Sequence, residues 1–582
     1  MGQLTSARFS TPADLQAANA LGGDGLPLGY MPAAEGHHSW NHRIVYKGDR
    51  HLLTVAPSRS GKGTCEVIPT LQEYKGGVFC IDPKGENAII TAQARERDFG
   101  QICHLLDPWE RATAILGREP SCFNPLDMLS ADSETMGDDA AMIADALIWK
   151  EGQGGDHWGN SAANIAADLV AYVVVHPDEE GQRHLGRVRD ILCLPPDELA
   201  AVFQKMAEHD HPLLRSGGNR FMQKNERELA SIISTVHQNT AFLDSPQMRR
   251  SLEKTTFDFA ALKSDNAPIS VYVVIPSERL QTHGRWLRLT VSMGLHAIVT
   301  TKGKPKRPAL FLLDEFAALG RLAMVEQGVG LMAGFGLQMW VILQDLAQLK
   351  DLYRDRWQTF VANAGVLQAF AVKDIMTADY LSKMGGTTEV EVTSYSSSQS
   401  VSTNSGQSNS SGGSFGGGGA SSNSGTGSSR GSSVSASSNT NKGVQTRPLM
   451  HPDEILRFRS DTQILFIENK PPTLAYILDY FKNGRYFDYA EDPPSPKFGE
   501  HPDHAGTKYR PFIFDRETLE SVQAVRPEYR KKAARMLRNY RKAQRPRRRF
   551  WAGMTRKSIA LRTVQAVGVL AGLFVVGLIL NI

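Results

Sequence analysis

An apolar run that leads into a small turn carrying a lysine constrains the fold of this chain more than any other feature. The run begins at His51 in the segment HLLTVAPSRSGKGTCEVIPTL, and the lysine is Lys62. Backbone N–H groups in a turn without bulky side chains converge on oxyanions, and a helix that follows adds its positive dipole end. The segment therefore predicts a strand, a phosphate-binding loop and a helix, with Lys62 reaching the outer phosphates of ATP or another nucleoside triphosphate.

The turn departs from the usual phosphate-loop pattern G-x-x-x-x-G-K-[ST] at two positions. Ala56 replaces the first glycine, and Gly63 replaces the hydroxyl residue expected to bind Mg²⁺. Thr64, one residue later, or Ser60 is then the candidate hydroxyl ligand of the metal. A glycine-rich turn with a solvated lysine is the alternative interpretation. The residues expected to bind the nucleotide are Pro57, Ser58, Arg59, Ser60, Gly61, Lys62, Gly63 and Thr64.

The second half of such a site is an apolar strand that ends in acidic residues, and the segment ALFLLDE from Ala309 to Glu315 has this form. Asp314 is expected to hold Mg²⁺ through its water shell, and Glu315 to polarise the attacking water. A buried strand that ends in two carboxylates by chance is the alternative. The catalytic interpretation gains weight because Lys62 lies on the same chain and the two motifs need each other.

A third apolar run, Met339 to Leu343, ends at Gln344. Because the carboxyl ends of parallel strands meet at one edge of a sheet, Gln344 is expected beside Lys62 and the acidic pair. It is a candidate sensor of the γ-phosphate. A strand-end glutamine that caps a turn is an equally simple interpretation.

Several further segments occur in an order typical of one family. They are SRSGKG at 58–63, CIDPKGE at 80–86, FNPLD at 123–127, LLDEFAALGRL at 312–322, LQDLAQLKDLY at 343–353 and RPLMHPDEIL at 447–456. Over roughly residues 7–487 the chain resembles the TraG-like coupling ATPases of type IV secretion and conjugation. The combination is specific, because phosphate-loop proteins at large do not share DPKGE, FNPLD and LxDEFxxLG together.

The resemblance implies an α/β fold, namely a RecA-like P-loop NTPase with a predominantly parallel sheet and an inserted all-α domain. It implies a homo-hexameric motor that uses ATP and Mg²⁺ to deliver DNA with its relaxase, or effector proteins, to the components of a type IV secretion channel. The alternative is a receptor for protein effectors in which ATP binding is only a conformational switch. A hexameric motor also needs an arginine from a neighbouring subunit, for which Arg321 is the candidate.

The distance between the two nucleotide motifs supports an insertion independently of the resemblance. Lys62 and Asp314 lie 252 positions apart, too far for the few βα units, each of about 30 residues, that usually separate them. Apolar residues at helical spacing within 132–255 predict that this range is the all-α domain. The nucleotide-binding domain would then comprise 1–131, 256–393 and 443–490.

Composition changes sharply in two later ranges. Residues 394–442 are almost entirely Ser, Gly, Asn and Thr, and such a segment is expected to form a disordered surface loop because it has too little apolar surface to bury. Residues 491–562 are expected to be a connector followed by a basic juxtamembrane segment. Its part 526–562 carries 15 Lys or Arg against one acid, Glu528.

The range 563–582 carries no charge. At about 1.5 Å per residue, its 20 residues match a hydrocarbon core of about 30 Å, so the sequence predicts one transmembrane helix. Positive charge stays on the cytoplasmic side. These patterns predict a single-pass C-terminal anchor with the bulk of the chain cytoplasmic, and the resemblance implies that the membrane is the bacterial inner membrane.

The distribution of charge indicates where DNA could bind, and the cysteines indicate whether the cellular compartment is reducing or oxidising. The formal net charge is +4, yet residues 526–562 alone contribute +14, which leaves the remaining residues at −10. DNA contact is therefore expected in a pore lining or in the basic segment, because a nucleic-acid footprint needs clustered Lys and Arg. For the basic segment, attraction to anionic lipid is the alternative interpretation. The five cysteines are scattered, without a paired C-x-x-C, which indicates free thiols in a reducing compartment.

Overall fold

The computed structural model describes residues 7–31, 43–149, 157–411 and 424–478. Contacts between residues divide the chain into two compact units. The larger unit contains Phe9–Ala378 and resumes at Asp453, and the smaller one contains Asp379–Pro452 with the residues up to Arg8. All candidate site residues belong to the larger unit.

A mixed sheet of eleven strands forms the centre of the larger unit, in the order β2-β1-β13-β12-β9-β3-β8-β7-β4-β6-β5. The strands from β9 to β5 pair in parallel, and the four strands on the β2 side pair antiparallel. This arrangement confirms the predicted α/β fold with a mostly parallel sheet. All described strands, including β10 and β11 of the smaller unit, are β1 (Leu26–Tyr30), β2 (Arg43–Tyr46), β3 (His51–Val55), β4 (Val78–Asp82), β5 (Cys103–Leu106), β6 (Ser270–Val274), β7 (Ala309–Leu313), β8 (Leu337–Leu343), β9 (Ala364–Phe370), β10 (Thr387–Ser411), β11 (Ser424–Pro448), β12 (Thr462–Ile467) and β13 (Thr473–Tyr476).

The central strands β3, β8 and β7 are neighbours and are buried along their whole length. Continuous apolar runs are expected here because helices cover both faces of a parallel sheet. Val55 lies opposite Leu343, and Leu313 lies opposite Val341. The three strands therefore end at the same edge of the sheet.

Helices surround the sheet and fill the connections between its strands. The described α-helices are α1 (Pro12–Ala17), α2 (Ile68–Leu71), α3 (Glu86–Phe99), α4 (Thr113–Leu116), α5 (Met136–Leu147), α6 (His157–Val175), α7 (Leu185–Leu192), α8 (Pro196–Glu208), α9 (Pro212–Met222), α10 (Glu226–Thr240), α11 (Pro246–Leu252), α12 (Leu280–Thr300), α13 (Ala323–Gly328), α14 (Leu346–Tyr353), α15 (Trp357–Asn363), α16 (Ile375–Gly385) and α17 (Pro452–Leu456).

The described residues between 132 and 255 contain helices α5 to α11 and short 3-10 turns, without a strand. We call this part of the chain the helical region. Helix α5 buries Ala140, Ile143, Ala144 and Leu147, a spacing that places apolar side chains on one face of an α-helix. The limits of the helical region as a separate domain stay predictions.

The smaller unit differs from the sequence-based expectation for residues 394–442. Strands β10 and β11 pair antiparallel without interruption, from Thr387 opposite Pro448 to Ser411 opposite Ser424. The expectation of disorder rested on the lack of apolar side chains. The physical reason for the difference is that a two-stranded ladder satisfies backbone N–H and C=O groups whatever the side chains are.

Among the described residues, no helix combines the length and apolar character needed to cross a lipid bilayer. The prediction of a C-terminal anchor at 563–582, with inner-membrane localisation and a cytoplasmic bulk, is therefore not supported and is corrected here. A span takes about 20 consecutive apolar residues, whereas the two longest described helices, α6 and α12, are interrupted by charged residues such as Asp168 and Arg288. Residues 491–562 and 563–582 lie outside the described residues.

Candidate nucleotide-binding site

The loop after β3 has the backbone shape that the sequence predicts for a phosphate-binding turn. Arg59 and Gly61 both have positive φ angles, 64° and 99°. At Gly61 a Cβ atom would lie 3.1 Å from the Cys65 sulfur, so both space and conformation favour glycine there. Lys62 is only 8% exposed, and its Nζ donates a hydrogen bond of 3.0 Å to the Ala56 carbonyl. The ammonium group is thus folded back against the start of its own loop.

The two hydroxyl groups considered as metal ligands are held inside the loop. The Ser60 hydroxyl donates to the Pro57 carbonyl at 2.6 Å, and the Thr64 hydroxyl donates to the Gly61 carbonyl at 3.0 Å. The loop continues directly into a π-helical turn, Gly63–Val67, and then into α2. The first backbone N–H groups of such a turn have no partner within it, which makes them suitable donors to an anion.

The acidic pair lies at the end of β7, two strands away from the loop. Glu315 adopts a left-handed conformation with φ 54°, and its backbone N–H donates to Asp314 Oδ1 at 3.0 Å. Burial and then the neighbouring Glu315 charge raise the pKa of Asp314 to about 6, while the positive charge of Lys62 acts in the opposite direction. A buried carboxylate with this surplus of negative charge is suited to hold a cation.

Gln344 lies at the end of β8, between the loop and the acidic pair. Its side-chain Nε2 donates to Glu315 Oε2 at 3.2 Å, and its backbone N–H donates to Gln348 Oε1 at 3.0 Å. The structure therefore brings Gln344 and Glu315 into direct contact, as the shared sheet edge predicts.

Arg321 is not brought to this site. Its Nε donates to Glu326 Oε2 at 2.7 Å and its Nη2 to Glu326 Oε1 at 3.1 Å. This bidentate pair occupies the N–H groups that a catalytic arginine would present to a phosphate. The assignment of Arg321 as the arginine supplied to a neighbouring subunit stays a prediction.

Lys84 belongs to the site although no role was predicted for it. It follows β4, which lies next to β7 in the sheet. Burial raises the pKa of Asp314 overall, and the positive charge of Lys84 partly opposes this rise. The signal was present in the segment CIDPKGE at 80–86, because that segment ends a parallel strand at the same edge. Sequence reasoning noted the segment only as a family motif.

Glu66 is the second residue that sequence reasoning missed. It lies in the π-helical turn behind Lys62 and is 2% exposed. Neither oxygen of its carboxyl group has a hydrogen-bond partner among the described residues; the nearby Thr54 hydroxyl donates to Gln368 instead. Burial raises the pKa of Glu66 to about 8, and the charge of Asp314 adds to this shift. The group is therefore mostly protonated at neutral pH.

This buried acid predicts a pH-dependent stability. The folded chain binds a proton at Glu66 up to about pH 8, whereas the unfolded chain releases it above about pH 4.5. The free energy of unfolding therefore falls as the pH rises through this interval, by at most about 5 kcal/mol. Glu66→Gln, which mimics the protonated form, should leave stability near pH 5 unchanged and raise the thermal midpoint at pH 9. Thermal unfolding across this range is the measurement.

The exposed Glu119 provides the control for this experiment, because Glu119→Gln changes an acid of the same type without changing a buried group. This variant should keep the pH dependence of the unmodified chain. If the thermal midpoint changed with pH equally in the Glu66→Gln variant and the unmodified chain, the prediction would be wrong.

A mostly parallel sheet, a loop after β3 with the shape of a phosphate-binding turn and an acidic pair after β7 together define a RecA-like α/β fold of the P-loop NTPase class. The family model described as Type IV secretory system Conjugative DNA transfer matches residues 19–414 and 418–539. Since these ranges cover most of the chain, the protein belongs to this family.

Curated relatives carry names from conjugation and type IV secretion. The conjugal transfer protein TraG of Escherichia coli is 26% identical over 420 residues, which cover 66% of this chain and 65% of that protein. The protein VirD4 of Agrobacterium fabrum (strain C58) is 26% identical over 455 residues, 76% of this chain and 61% of that protein. The chain thus spans less than two thirds of the length of these relatives.

Solved structures of the bacterial conjugative coupling protein TrwB have the same fold. Its truncated form TrwBΔN70, in an unbound monoclinic crystal, has a TM-score of 0.55 at 15% identity and covers 81% of this chain and 93% of that chain. TrwB in complex with ADP and Mg²⁺ has a TM-score of 0.53 at 14% identity, over 81% of this chain and 94% of that chain. At these identities the comparison establishes the fold.

Proposed function

We propose that this chain is a type IV secretion coupling protein that hydrolyses ATP to deliver DNA, bound to a relaxase, or protein substrates to a secretion channel. One observation carries the enzymatic part of the proposal: the ends of β3, β8 and β7 gather Lys62, Gln344 and the Asp314–Glu315 pair at one sheet edge. These groups cover phosphate binding, cation binding and activation of water, which phosphoryl transfer to water requires.

The residues at this edge fit a nucleotide with Mg²⁺. Lys62 is a buried cation with a single carbonyl as its hydrogen-bond partner among the described residues, and anionic oxygens are stronger acceptors for it. Burial and the neighbouring Glu315 charge raise the pKa of Asp314, and a bound cation would counteract both effects. Mg²⁺ would neutralise the charge that develops on the phosphates. We assign Asp314 and the Thr64 hydroxyl to the metal side of the site and Pro57–Thr64 to the phosphates.

In this proposal Glu315 accepts the proton of the attacking water, and Gln344 holds the Glu315 carboxylate in position. The Gln344 amide also lies where it can respond to the terminal phosphate, because it extends from the strand between the loop and the acidic pair. Lys62 moves from the Ala56 carbonyl to the phosphates when nucleotide binds. Water is polarised most effectively by a base that is already oriented.

The substrates and assembly of the protein are proposals that rest on the family. Membership in a conjugative DNA transfer family and the names of the relatives support DNA, relaxase or effector proteins and channel components as partners. The homo-hexamer is proposed from the family resemblance. An arginine such as Arg321 would then act on the nucleotide of a neighbouring subunit only after leaving Glu326.

The experiment that tests this function is ATP hydrolysis by the purified full chain with and without DNA. Steady-state phosphate release should rise when single-stranded or double-stranded DNA is added, because a DNA motor couples ATP turnover to movement along DNA. A folded, oligomeric preparation that hydrolyses ATP without any response to DNA would contradict a DNA motor. The same preparation without hydrolysis would contradict the enzymatic proposal altogether.

A further inference from the structure

Arg288 occupies an unusual position in the interior of α12. Its side chain is 4% exposed, yet its guanidinium bonds only main-chain carbonyl oxygens within the described chain. These bonds join two parts of the protein that are remote in sequence. Nε and Nη2 donate to the carbonyls of Ala146 and Asp145 at 3.2 Å and 3.3 Å, and Nη1 donates to those of Leu319 and Arg321 at 2.9 Å and 2.8 Å.

The first two acceptors belong to the last turn of α5 in the helical region. The last carbonyls of an α-helix have no partner within the helix, and a cation there also interacts favourably with the helix dipole. Arg288 therefore provides hydrogen bonds that α5 cannot supply for itself.

The other two acceptors lie just beyond the acidic pair of the candidate site. Asp314 and Glu315 are followed by a 3-10 turn, Phe316–Leu319, and then by Gly320 and Arg321. Holding the carbonyls of Leu319 and Arg321 fixes the far end of this short connection. Its near end is the strand β7, so little freedom is left for the Glu315 backbone between them.

Trp149 reinforces the same connection from the helical region. The Arg288 guanidinium lies 5.2 Å from the centre of the Trp149 ring, within the range of a cation–π interaction. The ring also packs so closely on Gly320 that a Cβ atom there would lie 2.2 Å from Trp149 Cη2. The Trp149 backbone N–H donates to Asn239 Oδ1 of α10 at 2.9 Å, which ties the ring position to a second helix of the region.

We propose that Arg288 is a positioning residue for ATP hydrolysis: with Trp149 it holds the Leu319–Arg321 turn against the helical region and thereby orients Glu315. This inference rests on the proposed hydrolysis and adds a physical link between the helical region and the acidic pair. A change in the packing of α5 or α10, such as one caused by a ligand of the helical region, would reach Glu315 through this link.

The test compares Arg288→Lys in the full chain with Arg95→Lys. A lysine keeps the charge but cannot bond four carbonyls in two directions. Arg95 is a matched control because it is also buried and lies outside the helical region and the turn. It likewise donates to main-chain carbonyls, those of Leu71, Tyr74 and Gly76. Arg288→Lys should lower kcat for ATP by about tenfold with KM within about twofold. Amide hydrogen exchange should become faster in residues 316–322, and Arg95→Lys should change neither property.

Trp149→Leu is the second variant, because it weakens the same link without removing the buried charge. It should change kcat and the exchange of residues 316–322 in the same direction, and it decides the question if Arg288→Lys does not fold. Unchanged exchange in this segment, or a loss of kcat no larger than that of Arg95→Lys, would overturn the inference. If the unmodified chain does not hydrolyse ATP, the proposed function fails and the catalytic part of this inference fails with it, whereas the exchange data still decide whether the link exists.

Discussion

The Glu315→Gln variant is expected to lose ATP turnover by a factor of about 10² or more while still binding nucleotide. A glutamine cannot accept the proton of the attacking water, but it has nearly the shape of glutamate and keeps an oxygen for the Gln344 amide, which lies 3.2 Å from Glu315 Oε2. The binding part of the site, on the Lys62 side, is left intact. Phosphate release under saturating ATP and titration with a fluorescent ATP analogue measure the two properties separately.

Glu96→Gln is the matched control for this prediction. Glu96 is half-buried in the same unit and accepts hydrogen bonds of 2.8 Å from Nη1 and Nη2 of Arg118. Glu96→Gln therefore also removes the charge of a partly buried glutamate and keeps one oxygen for its partner. Its turnover should stay within about twofold of the unmodified chain. A Glu315→Gln chain that keeps a substantial fraction of the turnover would show that Glu315 is not the base.

The same variant separates a motor from a receptor. If substrate transfer in cells stops together with ATP turnover, hydrolysis drives delivery. Transfer at a normal rate by the Glu315→Gln chain would instead favour the receptor, in which nucleotide binding alone sets the conformation.

Lys62→Met is expected to weaken nucleotide binding by about 10- to 100-fold, because one charge-assisted hydrogen bond to a phosphate contributes roughly 1.5–3 kcal/mol. Methionine has a similar length and no charge. Since Lys62 is 8% exposed and bonds only the Ala56 carbonyl among the described residues, the folded state should tolerate this change. Calorimetric titration with a non-hydrolysable ATP analogue measures the affinity, and thermal unfolding checks the fold.

Lys75 supplies the comparison, because it is exposed on a loop of the same unit. Lys75→Met should leave the affinity unchanged. If Lys62→Met binds the analogue as tightly as Lys75→Met does, the loop does not bind the phosphates through its lysine, and the alternative interpretation of a solvated turn is favoured. The variants Lys62→Met and Glu315→Gln together distinguish a loss of nucleotide binding from a loss of ATP hydrolysis.

Much of the central sheet could be predicted from short stretches of sequence. The segments that become β3, β7 and β8 are mainly apolar, with Thr54 and Gln338 as internal exceptions. Parallel strands of this kind are recognisable because both of their faces are buried. Apolar residues at helical spacing likewise predicted helices within 132–255, where α5 to α11 lie. This reasoning did not anticipate the pairing of β10 with β11. The backbone hydrogen bonds that join these strands do not depend on apolar side chains, and apolar side chains were the pattern used for prediction.

The site was predicted in part for the same reason. Asp314, Glu315 and Gln344 directly follow strands, and Lys62 lies in the loop after β3, so position along the chain is enough to place them near one sheet edge. Arg321 stands close to the acidic pair in sequence, yet its side chain is taken up by Glu326. Proximity in sequence does not determine which partner a long, flexible side chain selects.

The sequence by itself determined which residues follow the buried strands, and therefore which charged side chains lie at the sheet edge of the candidate site. The reason is that a run of apolar residues that ends in a polar one is a local pattern along the chain. Only the tertiary structure decided that the buried Glu66 carboxyl has no hydrogen-bond partner in the described part of the chain, that Gln344 contacts Glu315, and that Arg288 bonds the Ala146 carbonyl 142 positions away. Such contacts depend on the distance and direction between elements that packing brings together, and no local pattern of residue types records them.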